Sequence, residues 1–195
     1  TATDVSLKLA GGPQAVTKML RSIGITEQRV DRSTAEILRD FYGLQDKASP
    51  SVVTEAIAKD PTLLVQMTKP NSEFEKDPRD QSTPEAMLEL LLAIDSGKVL
   101  SETSRAFLLA TMSRTYTGKD RLRGLLPKGT PVAHKTGTIG GVANDVGFIT
   151  LPDGRRFAIA VYTKSSTTPA ADQDRAIAEV SRTLYDFYYL TAQDK

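Results

Sequence analysis

Residues 132–162 read VAHKTGTIGGVANDVGFITLPDGRRFAIAVY, and this stretch decides the fold. Its apolar and β-branched residues fall into three short runs, which predict strands over 131–138, 143–151 and 156–163. The sequence LPDG at 151–154 is typical of a tight turn between the second and third runs. Consecutive strands joined by short turns pair antiparallel, so the sequence predicts a three-stranded meander.

Helical patterns lie on both sides of this sheet along the chain. Two helices are predicted near the N-terminus, separated by Gly11-Gly12. The sequence STPE at 82–85 is a typical helix start. A further helix is predicted after Ser101, with Phe107, Leu108 and Met112 on its buried side. A last helix is predicted over 170–189. This order predicts an α+β fold in which the C-terminal helix covers one face of an antiparallel sheet.

Residues 27–81 separate the N-terminal helices from the later ones and are harder to interpret. The stretch is polar and charged, contains several prolines, and has short helical patterns over 33–41 and 51–58. So long a connection is either functional or a tolerated surface insertion. We expect a helical unit over 1–120, which includes this enlarged loop, and an α/β unit over 121–195.

Charge and composition exclude several classes of function. Lys and Arg number 25 and Asp and Glu 24, so the net charge of +1 gives no strong field for nucleic acid. No apolar run reaches the roughly 18 residues of a membrane span. The chain has no Cys and a single His, which excludes disulfides, thiol catalysis and a His-His metal motif. We therefore expect no metal. The expectations of no cofactor and of a small molecule as the partner come instead from the motifs described next.

The sharpest chemical feature is the sequence HKTGT at 134–138, at the end of the first predicted strand. Gly137 would let a ligand approach the strand backbone closely. Lys135 and the threonines on either side of this glycine suit an anionic ligand that carries a carbonyl, and an exposed strand edge can pair with a substrate amide. His134 is expected to pack or to form hydrogen bonds rather than act as a base. The alternative is a strand that merely ends in a turn.

This motif belongs to an ordered series of segments along the chain. They are GGP at 11–13, RVDR at 29–32, RD at 79–80 with TP at 83–84, RLRGLLP at 121–127, HKTGT at 134–138, ND at 144–145 and PDG at 152–154. In this order the series resembles class A β-lactamases and the related penicillin-binding proteins across nearly the whole chain. The resemblance implies their fold, a serine acyl-transfer reaction on β-lactams or related peptidyl amides, and export to the bacterial periplasm or the cell exterior.

The resemblance also implies roles for the residues of the motif. Lys135 would raise the local positive potential and hydrogen-bond a proton-shuttling Ser. The backbone N–H of Thr138 would be one of two oxyanion donors. The hydroxyls of Thr136 and Thr138, on either side of Gly137, would bind the carboxylate of the ligand.

Two further positions concern that carboxylate. Many members of the family carry an Arg on the strand after the motif, where this chain has Asn144. Some members supply the Arg from the preceding segment instead, and Arg121 occupies that place. The planar guanidinium suits this task because it binds carboxylates through two parallel hydrogen bonds.

The family's S-x-x-K and S-D-N motifs do not occur in the sequence, which starts where S-D-N would end. We therefore expect residues 1–195 to lack the attacking Ser, its Lys and the proton-shuttling Ser, and to be inactive alone. The sheet would also lose strands beside 156–163. An upstream fragment of the same protein or a homodimer partner would then cover the exposed edge.

The loop departs from the family pattern as well. Counting from Arg32, the deacylating Glu of the family would fall at Thr34, which cannot act as a carboxylate base. Glu36 is either a replacement or an exposed residue of a short helix. Arg32 and Asp80, 48 positions apart, are expected to form an ion pair that pins the loop ends. The alternatives to a β-lactamase are therefore a penicillin-binding or peptidase-like acyl trap with poor deacylation, and a non-catalytic binding module.

Overall fold

The computed structural model describes residues 1–45 and 49–191, so positions 46–48 of the predicted loop and the last four residues of the predicted α/β unit lie outside it. Helices come first, three strands follow, and one helix closes the chain, as the sequence predicts. The elements are α1 (Ala2–Leu9), α2 (Pro13–Ser22), α3 (Thr34–Phe41), α4 (Pro50–Lys59), α5 (Thr62–Gln66), α6 (Ser72–Glu75), α7 (Pro84–Asp95), α8 (Glu102–Ser113), β1 (Val132–Ile139), β2 (Val142–Thr150), β3 (Arg156–Tyr162) and α9 (Ala170–Leu190).

The three strands form one antiparallel sheet in the order β1-β2-β3, which confirms the predicted meander. The register places Gly137 opposite Asn144 and Phe148 opposite Ala158. β1 and β3 are therefore the edges of the sheet in the part of the chain that the structure describes. The strand that carries the HKTGT motif is one of these edges, so its outer side is not covered by a strand of this sheet.

Helices cover both faces of the sheet. Side chains alternate between the faces of a strand, and on one face Ile149 and Ile159 pack against Ile177 of α9. On the other face Phe148 packs against Leu91 of α7 and against side chains of α8. The C-terminal helix thus covers one face, as predicted, and the helices that precede the sheet cover the other.

The predicted buried side of α8 is right for Met112 and wrong for Phe107. Phe107 is 72% exposed, whereas Leu109 and Met112 of the same helix pack against the sheet. Successive residues of a helix are about 100° apart, so Phe107 and Leu109 lie on nearly opposite sides. Packing against β1 and against the cluster around Phe148 selects the side of Leu109, and the aromatic residue is left at the surface.

Residues 33–79 are called the insertion below, and their described part, residues 33–45 and 49–79, forms a small helical unit. The helices α3 and α4 occupy the two predicted helical stretches, whereas α5 and α6 were not anticipated. A capping box starts α3, since Ser33 and Glu36 each accept a hydrogen bond from the backbone N–H of the other. Phe41, Val53 and Leu63 form a separate apolar core inside the insertion. These residues give the insertion a packed structure of its own.

Arg32 closes the base of the insertion. Its side chain is only 4% exposed, and its Nε lies 2.6 Å from a carboxylate oxygen of Asp80. Its Nη1 lies 2.9 Å from Asp40 and 3.1 Å from Asp77. Asp80 also accepts the backbone N–H groups of Asp31 and Arg32, at 2.7 and 3.0 Å. The expected partners Arg32 and Asp80 are thus in contact, within a partly buried network rather than an exposed pair.

This network changes the acidity of two carboxyl groups. Burial opposes ionisation of Asp40, but hydrogen bonds from Arg32 and Arg39 hold its pKa below the ordinary value of 3.8. Hydrogen bonds from the side chain and the backbone of Arg79 hold the pKa of Asp77 well below its usual range. Because each Asp has a lower pKa in the folded chain than in the unfolded chain, its ionised form stabilises the fold. This contribution is complete above about pH 4, the unfolded-state value, and is lost as the pH falls through the lower pKa values of the folded chain.

We expect Arg32→Met to lower the free energy of unfolding by about 3–5 kcal/mol, because three carboxylates lose their shared cation. Urea unfolding of the complete gene product at pH 7 measures the change. The matched variant Arg175→Met removes only an exposed ion pair with Glu179 and should change the stability little. At about pH 3 the gap between Arg32→Met and the wild type should narrow, because protonation removes the charges that Arg32 compensates. A gap independent of pH would contradict this account.

Candidate active site

The outer edge of β1 directs backbone groups away from the sheet. In an antiparallel pair, alternate residues point their N–H and C=O toward the neighbouring strand and away from it. The carbonyls of Val132 and His134 point away, and they accept hydrogen bonds from Arg123 at 2.6 Å and Thr115 at 2.7 Å. By the same alternation the N–H and C=O of Thr138 point away from β2, and this residue is exposed. The end of β1 can therefore present both backbone groups to a ligand.

Arg121 binds this end of the strand from inside the protein. The residue is 7% exposed, and its Nη2 donates a hydrogen bond to Oγ1 of Thr138 at 2.8 Å. Its Nη1 donates to the carbonyls of Gly137 and Asn144 at 3.1 and 3.0 Å, and its Nε donates to Asp174 of α9 at 2.7 Å. Because the hydroxyl oxygen of Thr138 accepts from Arg121, its own hydrogen is available to an acceptor outside the protein.

Thr136 lies on the same face of β1, one pleat before Thr138. Its Oγ1 is 2.8 Å from Oγ1 of Thr117, in the segment between α8 and β1. The next residue, Gly118, has a φ of +61°, and a Cβ there would lie 2.5 Å from Cγ2 of Thr136. Only glycine allows this close approach. Thr117 and Gly118 were not identified from the sequence, although a glycine preceded by a threonine is a weak signal of such a contact.

Lys135 and Asn144 lie on the opposite face of the sheet, because side chains alternate along a strand. The exposed Lys135 donates from Nζ to the carbonyl of Thr136 at 2.5 Å, and no carboxylate pairs with it among residues 1–45 and 49–191. The side-chain oxygen of Asn144 accepts the backbone N–H of Thr163 at 3.1 Å. The predicted ligand-binding residues are thus divided between the two faces of the strand.

His134, which directly precedes Lys135, forms a fully buried pair with Asp145 of β2. The side chains of His134 and Asp145 are both 0% exposed, and Nδ1 lies 2.8 and 2.9 Å from the two carboxylate oxygens. Nδ1 faces both oxygens, and we assign the hydrogen to it because an imidazole N–H then donates to an oxygen acceptor. Asp145 also accepts the backbone N–H of Leu122 at 3.3 Å. The pair therefore joins β1, β2 and the segment that carries Arg121, and His134 forms hydrogen bonds as predicted.

The two loop residues weighed as bases take part in hydrogen bonds at the start of α3. The backbone N–H of Thr34 donates to Asp4 at 2.7 Å. The carboxylate of Glu36 accepts from the N–H and the hydroxyl of Ser33, at 2.7 and 2.8 Å. These two hydrogen bonds hold the pKa of Glu36 below the ordinary value of 4.5, and the bond from the backbone N–H has the larger effect. A carboxylate with a lowered pKa is a weaker base, so this geometry suits a cap better than proton abstraction.

The structure also bears on metals and membranes. Within residues 1–45 and 49–191, no three His, Asp or Glu side chains are grouped so that they could hold a metal ion. In the same part of the chain, no helix is both long enough and apolar enough to cross a membrane.

Comparison with known proteins identifies the family. The family model described as "Beta-lactamase enzyme family" matches residues 1–188, and the chain belongs to that family. The extended-spectrum beta-lactamase PER-1 of Pseudomonas aeruginosa is 33% identical over 192 residues, which are 95% of this chain and 52% of that protein. A beta-lactamase of Bacteroides uniformis is 40% identical over 124 residues, which are 60% of this chain and 42% of that protein.

A solved structure gives the same answer for the fold. The crystal structure of the TLA-1 extended-spectrum beta-lactamase matches with a TM-score of 0.71 and 29% identity, over 96% of this chain and 58% of that one. The resemblance to class A β-lactamases and the predicted α+β fold are therefore confirmed. The chain spans about half the length of the curated relatives that it matches.

We expect Asp145→Ala to lower the free energy of unfolding by about 3 kcal/mol. The substitution leaves the buried N–H of His134 and the backbone N–H of Leu122 without an acceptor. The matched variant Asp186→Ala removes an exposed pair with Arg182 on α9 and should have little effect. Chemical unfolding at neutral pH compares the two, and equal stabilities would show that the buried pair does not hold these segments together.

Proposed function

We propose that this chain forms the ligand-binding side of a serine acyl-transfer hydrolase that opens β-lactam rings. The observation that carries the proposal is the hydrogen bond from Arg121 to Thr138, at the exposed end of an edge strand. A penicillin has a carbonyl in its strained ring and a carboxylate close to the ring nitrogen. The outward N–H and the hydroxyl of Thr138 suit these two groups, and membership of the β-lactamase family supports the same reaction.

The carboxylate of the ligand would bind at the threonines. The hydroxyl of Thr138 donates to it, and Thr136 adds a second hydroxyl on the same face. Gly137 between them allows the ligand to approach the backbone closely. Arg121 is already bound to protein atoms, so it contributes by orienting the hydroxyl of Thr138 and by its charge, part of which Asp174 offsets.

Two residues act from the other face of the strand. Lys135, which has no carboxylate partner among the described residues, supplies positive potential and holds the serine that shuttles the proton. The contribution of Asn144 is indirect, because its carbonyl accepts from Arg121 and its side chain accepts from Thr163.

The chemistry would begin with a serine from outside residues 1–195. Its oxygen attacks the lactam carbonyl, the carbon–nitrogen bond breaks, and the nitrogen takes a proton, which leaves an acyl-enzyme. The backbone N–H of Thr138 would stabilise the oxyanion that forms, and one donor of this kind typically contributes about 10²–10³ in rate. Residues 1–195 alone would therefore bind a ligand weakly and would not turn it over.

A long-lived acyl-enzyme, as in a penicillin-binding protein, is the second candidate, and one observation favours it. Hydrolysis of the acyl-enzyme needs a base to activate water. Thr34 cannot supply a carboxylate, and the carboxylate of Glu36 is held by two hydrogen bonds from Ser33. Acylation would then be followed by slow deacylation.

Time-resolved intact mass of the complete gene product with benzylpenicillin tests the proposal. We expect a mass gain of one penicillin, and its decay or persistence separates hydrolysis from an acyl trap. Thr138→Val should slow acylation at least about tenfold, because a hydrogen bond to a charged group contributes about 1.5–3 kcal/mol. Thr138→Ser keeps the hydroxyl and should acylate at nearly the wild-type rate. The absence of any mass gain in the wild type would contradict the acyl-transfer proposal.

Glu36→Gln should leave the rate of deacylation unchanged. Gln also serves at this position of a capping box, so the substitution keeps the cap and removes only the basicity. Glu36→Ala removes the carboxylate half of the capping box and leaves the hydroxyl of Ser33 as the cap. It should lower the free energy of unfolding by about 1 kcal/mol, the usual contribution of a hydrogen bond, without a specific effect on deacylation. The decay of the acyl adduct measures the rate. A tenfold slower decay in Glu36→Gln would identify this residue as the base.

A further inference from the structure

The insertion contacts the turn that directly follows the ligand-binding strand. Gly140, the first residue after β1, donates its N–H to the carbonyl of Met67 at 2.9 Å. Ile139, the last residue of β1, packs against the apolar core of the insertion. The end of β1 is thus held by the insertion on one side and by β2 on the other. Thr138 directly precedes Ile139, the first of the two contacting residues along the chain.

The fit at the turn is close. A Cβ at Gly140 would overlap the ring of Phe41 and would lie 3.2 Å from the carbonyl oxygen of Lys69. A Cβ at Gly141 would lie 2.9 Å from Cγ of Pro70. Both glycines also have positive φ angles, of 48° and 76°. The insertion therefore approaches the backbone of the turn as closely as two glycines allow.

The loop after β3 closes the other side of the turn. The N–H of Ser166 donates to the carbonyl of Gly141 at 3.0 Å. The hydroxyl of Ser165 donates to the carboxylate of Glu75, in α6 of the insertion. Ser165 has a φ of 54°, which is uncommon for a residue other than glycine. The turn is thus enclosed between the insertion and this loop, which are themselves linked.

The position of Phe41 is fixed independently of the turn. Its side chain is 3% exposed and belongs to the core of the insertion. Its ring lies edge-on to the ring of Phe74, with 5.3 Å between the centroids. The side-chain N–H of Asn71 donates to its carbonyl at 3.0 Å. A clash with Phe41 would therefore displace the turn rather than be absorbed by a mobile side chain.

We propose that the insertion is a positioning element for the ligand-binding strand. By fixing the turn at Gly140 and Gly141, it fixes the outward N–H and the hydroxyl of Thr138, with which a ligand would align. A displacement of about 1 Å at a reacting geometry can cost roughly 10²-fold in rate. The effect on acylation rests on the proposed function, whereas the effect on the rigidity of β1 does not.

The test compares two glycine substitutions in the complete gene product. Gly140→Ala introduces the clash with Phe41. Gly154→Ala, in the turn between β2 and β3, forces an alanine into a similar positive φ of 86° but meets no atom within 4 Å. The measurements are the rate of acylation by benzylpenicillin and the hydrogen exchange of the backbone amides of Gly137, Ile139 and Gly140, which donate to β2 or to Met67. Gly140→Ala should slow acylation at least about tenfold and speed exchange at these amides, whereas Gly154→Ala should change neither.

A second substitution separates the clash from a general loss of stability. Phe41→Leu removes the ring atoms that Gly140→Ala would meet, so the double variant should recover acylation and protection from exchange. If Gly140→Ala alone does not fold, a double variant that folds supports the clash. Phe41→Leu alone should speed exchange of the Gly140 amide, because the contact loosens.

Two results would overturn the positioning role. One is a Gly140→Ala variant that matches Gly154→Ala in both measurements, and the other is a double variant no better than Gly140→Ala. A wild type that is never acylated would contradict the proposed function instead. The exchange of the amides of Gly137, Ile139 and Gly140 would then decide the positioning role by itself.

Discussion

The structure of the insertion depends on the buried guanidinium of Arg32. Asp40 lies in α3, whereas Asp77 and Asp80 follow α6, so one side chain joins the start of the insertion to its end. Removing the partner of a charge buried in this way is costly, which favours one arrangement of the chain ends over others. The entropy of closing a loop grows only slowly with its length, so a closure of this kind can hold a long segment. With its ends held, the insertion packs its own core and reaches the turn after β1.

The site is assembled by buried hydrogen bonds rather than by apolar packing alone. Arg121 uses its donors on Thr138, on two carbonyls and on Asp174. The resemblance implied a guanidinium that binds the ligand carboxylate through two parallel bonds. In the structure Arg121 instead donates these hydrogen bonds to groups of the protein, and the hydroxyl of Thr138 is the group that faces outward. Asp145 adds a second connection, from His134 to the segment of Arg121.

Local patterns in the sequence account for much of what was predicted. The three strands follow from apolar runs separated by turn residues, and α7 follows from the capping hydroxyl of Thr83 with Pro84 behind it. The ordered series of motifs was enough to identify the family. The predictions failed where no local sequence pattern determines the structure. Phe107 is exposed because packing selected a different side of α8, and α5 is a helix of five residues within a polar stretch.

The sequence by itself therefore determined the class of fold, the order of its elements and the strand that carries the motif. Periodicity, turn residues and caps act over a few positions, and these can be recognised in one chain. The resemblance predicted one ion pair, Arg32 with Asp80, whereas the tertiary structure decided the other partners of these polar side chains. Arg121 and Asp174 are 53 positions apart, and Arg32 and Asp77 are 45 apart. Such pairs meet only when helices and strands pack in three dimensions. A buried charge needs a hydrogen-bonded partner, and the packing decides which group lies close enough to be that partner.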